Sequence, residues 1–136
     1  MPASLRIEIF PSDLTRMIHF YTNVLQFSLV KHEGTYAYLQ RDNIFIGAVE
    51  TGSEESREDK ERYRRPMKGI EIVMEVDDLE KERHFVVNKG WTLDEDIQLQ
   101  SWGLKDFRII DPDGYYIRIT THSPKRDGKG TGQGSL

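Results

Sequence analysis

A chain with no cysteine must draw its chemistry from carboxylates, imidazoles, hydroxyls and cations, and this one has none. That removes thiolate nucleophiles, disulfides and Cys-ligated zinc together. The four histidines, His19, His32, His84 and His122, stand in no visible arrangement with a serine and a carboxylate. His19 lies off the apolar stripe of one helix and His84 sits on another, so both read as solvated. His32 is at a strand end beside a turn, and His122 shares strand parity with Arg118 and Thr120, at the mouth of any pocket on that face. No Gly-rich phosphate loop opens a helix. The aromatics carry more promise. Trp102 lies between Gln100-Ser101 and Gly103, outside any apolar period. A large apolar side chain in such a loop either packs on its own domain or offers a platform to a ligand or partner. Trp91 follows a helix-ending Gly90 and reads as core. Tyr116 shares a strand face with Arg118, while Tyr38 and Phe45 stay open between core and pocket wall.

These residues need elements to hold them. The chain has 136 residues, which suits one domain with a core of its own. Lys+Arg is 19 and Asp+Glu 23, a net charge of -4 that argues against nucleic acid or an anionic membrane as partner. No apolar run approaches the ~18 residues of a membrane span, and the first residues lack a secretory apolar segment, so a soluble cytoplasmic protein is expected. Leu5 to Phe10 alternates as a half-buried strand, and Asp13 caps a helix with Leu14, Met17, Ile18, Tyr21, Val24 and Leu25 on one face. Strands follow at Phe27–Lys31, Thr35–Gln40 and Ile44–Val49. The order then repeats: a strand at Ile70–Val76, an Asp77-x-x-Glu80 capping box, a helix closing at Lys89-Gly90, and strands at Trp91–Leu93, Lys105–Ile110 and Tyr115–Thr120. Asp13-Leu14 recurs as Asp78-Leu79, 65 positions on. Between the halves, residues 51–68 read as a solvated charged connector with a short exposed helix ended by Pro66, supported by Glu58–Arg62 and Glu61–Arg65. Asp111-Pro112-Asp113-Gly114 reads only as a turn.

The expected fold is therefore α+β: two βαβββ modules, residues 5–50 and 69–122, forming one large curved mixed sheet with helices on the outer side and a concave inner face. Residues 1–122 make the single domain, and residues 123–136, rich in glycine, read as a disordered tail. A ferredoxin-like RNA-binding sandwich is the bland alternative, but its aromatic and basic strand motif is missing.

In this order, Asp13-Leu14 with Phe20-Tyr21 and Val24-Leu25-Gln26-Phe27, then Val76-Asp77-Asp78-Leu79, Ser101-Trp102-Gly103 and Asp111-Pro112-Asp113-Gly114, the chain resembles the glyoxalase/bleomycin-resistance/dioxygenase group, or vicinal-oxygen-chelate superfamily. Residues 41–49 and the Trp-Gly pair look most like the bleomycin-resistance branch. Gln26 departs from the family's glycine, a substitution that costs about 1 kcal/mol in a left-handed cap. The resemblance implies a metal site in the catalytic members, with ligands seven residues before each Asp-Leu and on the last strand of each half. Those positions hold Arg6, Glu71 and Arg118, and the strand Ile44–Val49 has no polar side chain. Arginine has no lone pair to give a cation, so the expectation is no metal and no cofactor. A displaced site from Glu8, Glu71 and Glu75 is the open variant.

By that resemblance the chain is a homodimer that sequesters a planar or amphipathic small molecule, as in antibiotic resistance, without catalytic residues. The ligand-binding residues are then Trp102, Arg118, Arg6, Glu71 and Tyr116. The alternatives are a metal-dependent lyase, transferase or dioxygenase of the same group, and a metal-free enzyme with Glu71 as base.

Overall fold

A computed structural model describes residues 2–122; the expected tail, residues 123–136, lies outside them. The first module runs β1 (Ile7–Ile9), α1 (Leu14–Asn23), β2 (Ser28–Glu33), β3 (Tyr36–Arg41) and β4 (Ile44–Val49). A connecting helix, α2 (Arg57–Arg64), leads to β5 (Glu71–Val76), α3 (Leu79–Asn88), β6 (Glu95–Leu99), β7 (Lys105–Ile110) and β8 (Tyr116–Thr121). The strands hydrogen-bond as two four-stranded mixed sheets, ordered β1-β4-β3-β2 and β5-β8-β7-β6. In each, the first strand runs parallel to the last and the rest are antiparallel. The two halves thus share one topology.

The repeat begins at the helix caps. Asp13 and Asp78 adopt nearly the same extended backbone, and each carboxylate accepts a hydrogen bond from the backbone N–H three residues on, at 3.0 Å. The cap of α3 is Asp78, with Lys81 at the third position, in place of the expected box on Asp77 and Glu80. At the end of α3, Gly90 takes φ +85°. Gln26 occupies the same left-handed region at φ 62°, the strained turn its residue type implied.

Alternation then sorts the side chains. Ile9, Leu39, Ile46 and Ala48 of the first sheet, and Ile72, Met74, Phe107, Ile109, Ile117 and Ile119 of the second, share one buried core with Leu14, Met17, Phe20 and Tyr21 of α1. Trp91 packs at its edge, its ring centroid 4.6 Å from that of Phe20 and its Nε1 donating to the Ile110 carbonyl. The strand expected at Trp91–Leu93 forms later, at Glu95–Leu99. Trp91 is drawn to Phe20 and the carbonyl of Ile110 instead of pairing in the sheet.

Two further expectations change. The connector is not merely solvated: α2 buries Lys60, which is only 2% exposed. Lys60 Nζ lies 2.8 Å from Asp113 Oδ1, Arg64 Nη1 lies 2.7 Å from Asp113 Oδ2, and Arg57 donates to the carbonyls of Ile110 and Asp111. The 111–114 turn is correspondingly more than a chain reversal. Asp111 accepts from the backbone N–H groups of Asp113 and Tyr115 and from the Tyr21 hydroxyl, and Asp113 accepts from Ser12. Two buried carboxylates therefore tie α1, α2 and β8 together. Burial pushes the Asp111 carboxyl up to about 6. Burial acts the same way on Asp113, but Lys60 and Arg64 outweigh it and hold that carboxyl below its ordinary value.

Candidate functional site

The polar residues that alternate with the core strands gather on the opposite face of each sheet. In the second module this face carries Glu71, Val73 and Glu75 from β5, Tyr116, Arg118 and Thr120 from β8, and Asp106 and Arg108 from β7. Register sets Arg108 beside Arg118 across the β7–β8 ladder, and like charges directly opposite each other are unfavourable. Two carboxylates offset them. Arg118 Nε lies 3.3 Å from Glu71 Oε1, Arg108 Nη1 3.8 Å from Glu71 Oε2, and each arginine stands 3.7 Å from an oxygen of Asp106. Trp102, half exposed on its loop, receives the Arg118 guanidinium 5.1 Å from its ring centroid.

Of the residues expected to bind ligand, the structure thus brings Trp102, Arg118, Glu71 and Tyr116 to one face. Tyr116 is buried, at 4% exposure, beneath the guanidiniums of Arg65 and Arg108, and its hydroxyl donates to Asp94. Burial raises its hydroxyl pKa. Burial also opposes the charge on Arg108, but Tyr116, Asp106 and Glu71 outweigh it and raise the guanidinium above its ordinary value. Arg6 is elsewhere. It sits on the first module, its Nε 2.9 Å from Glu8 Oε2 and its guanidinium 5.7 Å from the Tyr38 ring, and among the described residues no ion pair joins it to Glu71. Tyr38 stacks on Phe45 there, which makes both face residues and not core.

Asp106 and Arg108 are functional candidates that the sequence reading missed. Their signal was present: Asp106-Phe107-Arg108-Ile109 alternates, so a strand with a buried apolar side must show a charged one.

The metal positions do not fit a cation. The Glu71 and Asp106 carboxylates already face the guanidiniums of Arg118 and Arg108, so their charge is balanced without a cation. Register makes Gly47, opposite Glu8, the counterpart of Arg118 in the first module, a position with no side chain to offer a cation. Glu8, Glu71 and Glu75 do not converge: among the described residues no group of three or more His, Asp or Glu side chains is placed to hold a metal. His122 pairs with Asp77 at 2.9 Å, lies 3.8 Å from Glu75, and lines a separate cavity of about 780 Å³ between the β3–β4 turn and α3.

The glyoxalase/bleomycin resistance protein/dioxygenase superfamily profile matches residues 4–119. The chain belongs to this superfamily. Solved structures share its fold across nearly their whole length. A bleomycin-binding protein complexed with bleomycin superposes with a TM-score of 0.71 at 16% identity, covering 90% of this chain and 100% of that one. Fosfomycin resistance protein FosX from Mesorhizobium loti gives 0.67 at 12% identity, covering 93% and 98%. Lactoylglutathione lyase from Agrobacterium tumefaciens gives 0.65 at 14%, covering 88% and 94%. No curated protein sequence matches the chain. No helix among the described residues of this superfamily member is long and apolar enough to cross a membrane.

Proposed function

We propose that this superfamily member binds a planar or amphipathic small molecule and sequesters it without metal or turnover, as a drug-binding protein does. One observation carries the reading: a half-exposed Trp102 held against Arg118, over a sheet face whose charges answer one another instead of a cation. Stacking supplies the flat apolar contact, and the arginines and Glu71 supply charge-assisted hydrogen bonds at its edge. The bleomycin complex among the structural neighbours supports the class of function, and FosX and the lyase mark the enzymatic alternative. That alternative requires a cation where Arg6 and Arg118 stand.

The binding unit is a twofold dimer. The first module's inner face offers Tyr38, Phe45 and the Arg6–Glu8 pair, and nothing described in the same chain covers it. The edge strands β1 and β5 each have a single bonded neighbour, and open edges are normally paired or covered. A second copy that set its first module against this second module would bring Arg6 to Glu71 and Arg118 and complete two equivalent pockets. A thermal-shift panel of planar cationic, anionic and neutral compounds, with and without divalent metals, tests the reading. Stabilisation by an organic ligand without metal supports it; stabilisation that appears only with metal present overturns it.

A further inference from the structure

The charges on the second module's inner face also say what class of ligand they suit, an inference that rests on that face being the binding site. Glu71, Arg108, Asp106 and Arg118 close an alternating ring, with successive separations of 3.8, 3.7, 3.7 and 3.3 Å. These are ion-pair distances, longer than the roughly 2.7–2.9 Å of a charge-assisted N–H···O bond. Glu71 Oε2, Asp106 Oδ2, Arg108 Nε and Arg118 Nε are all buried without a hydrogen-bond partner. Their surroundings are otherwise satisfied: Asp106 Oδ1 accepts from Gln100 Nε2 and the Thr120 hydroxyl donates to the Lys105 carbonyl. Asp106 is 1% exposed, so bulk water does not make up the deficit. The ring holds hydrogen-bonding capacity that the chain itself does not use, and an unmade bond of this kind is costly.

We infer that this ring recognises a net-neutral planar ligand through an edge with a donor and an acceptor side by side, the lactam or ring-carboxamide class. Two guanidiniums donate and two carboxylates accept, alternately, so such an edge meets both kinds of partner at once. A full charge on the ligand gains from one pair what it loses to the other. Glu95, 3.9 Å from Arg108 at the exposed rim, tells further against an anion. Each arginine side chain keeps 18% exposure and Glu71 keeps 23%, so the edge engages the ring through Glu71 and the guanidiniums, with Asp106 buried behind them, while Trp102 takes the flat face.

Four probes on one skeleton test this with the full-length protein: isoquinolin-1(2H)-one, its N-methyl derivative, isoquinoline-1-carboxylate and N-methylisoquinolinium. Binding is read from the Trp102 indole and the Arg108 and Arg118 Nε–H resonances. The lactam should bind about tenfold more tightly than the other three, because a site built to hydrogen-bond a group rejects analogues that lack it. If the N-methyl lactam or either ion binds as tightly, the ligand class is overturned while the pocket stands. If no probe moves the Trp102 resonance, the pocket itself is overturned.

Discussion

Trp91 and Trp102 lie close in the chain and in opposite surroundings. Trp91 is held by Phe20, the Ile110 carbonyl and the Arg57 guanidinium, whereas Trp102 is half exposed and touches the charged face through Arg118. Trp91→Ala should therefore cost about 3–5 kcal/mol of stability. Trp102→Ala should leave the fold largely intact and weaken ligand binding severalfold to tens-fold. Melting temperature and affinity measured side by side separate them, and equal melting losses would make Trp102 a packing residue. The contrast was legible in the sequence because Trp102 breaks the apolar period and Trp91 follows a helix-ending glycine. Spacing makes Arg6 the first-module equivalent of Glu71, but it does not say which modules meet, because that is decided by packing and assembly of the whole chain.

At the scale of elements, α2 and the 111–114 turn form a latch whose strength comes from buried charge. Asp113→Ala strands Lys60 and Arg64, and removing one partner of a buried pair costs about 3–5 kcal/mol. Urea denaturation checks this, and a loss under about 1 kcal/mol would contradict it. Asp111 sets a pH dependence. Its carboxyl is raised from 3.8 to about 6, so the native state holds that proton more tightly than the unfolded chain. The resulting stability is complete below pH 3.8 and is lost as the pH rises through about 6. Asp111→Asn cannot ionise, so between pH 4 and 7 it should gain on the order of 2–3 kcal/mol relative to the unsubstituted protein. Parallel stability profiles would contradict the assignment. The sequence showed the turn and the short helix, from Pro, Gly and the i,i+4 charges. It did not show their contact, because a run of mixed charges has the same composition whether one lysine is buried or all are solvated.

For the whole molecule, the duplicated βαβββ order was readable because alternation and capping are local, and the two Asp-Leu starts lie in register. The late start of β6 was not readable, because tertiary contacts of Trp91 decide it. The proposed dimer rests on the edge positions of β1 and β5 and on the first-module face. Light scattering coupled to size exclusion should report twice the 15.9 kDa chain mass, and a monomer at tens of micromolar would contradict the shared pocket. The proposed function is metal-free ligand capture on the Trp102–Arg118 face. Calorimetric titration of the best-stabilising compound into the full-length protein, with and without a strong chelator, tests it most directly. About one ligand per chain is expected, with affinity unchanged by the chelator and a severalfold to tens-fold loss in Trp102→Ala. Binding that the chelator abolishes, or that Trp102→Ala leaves untouched, would contradict it.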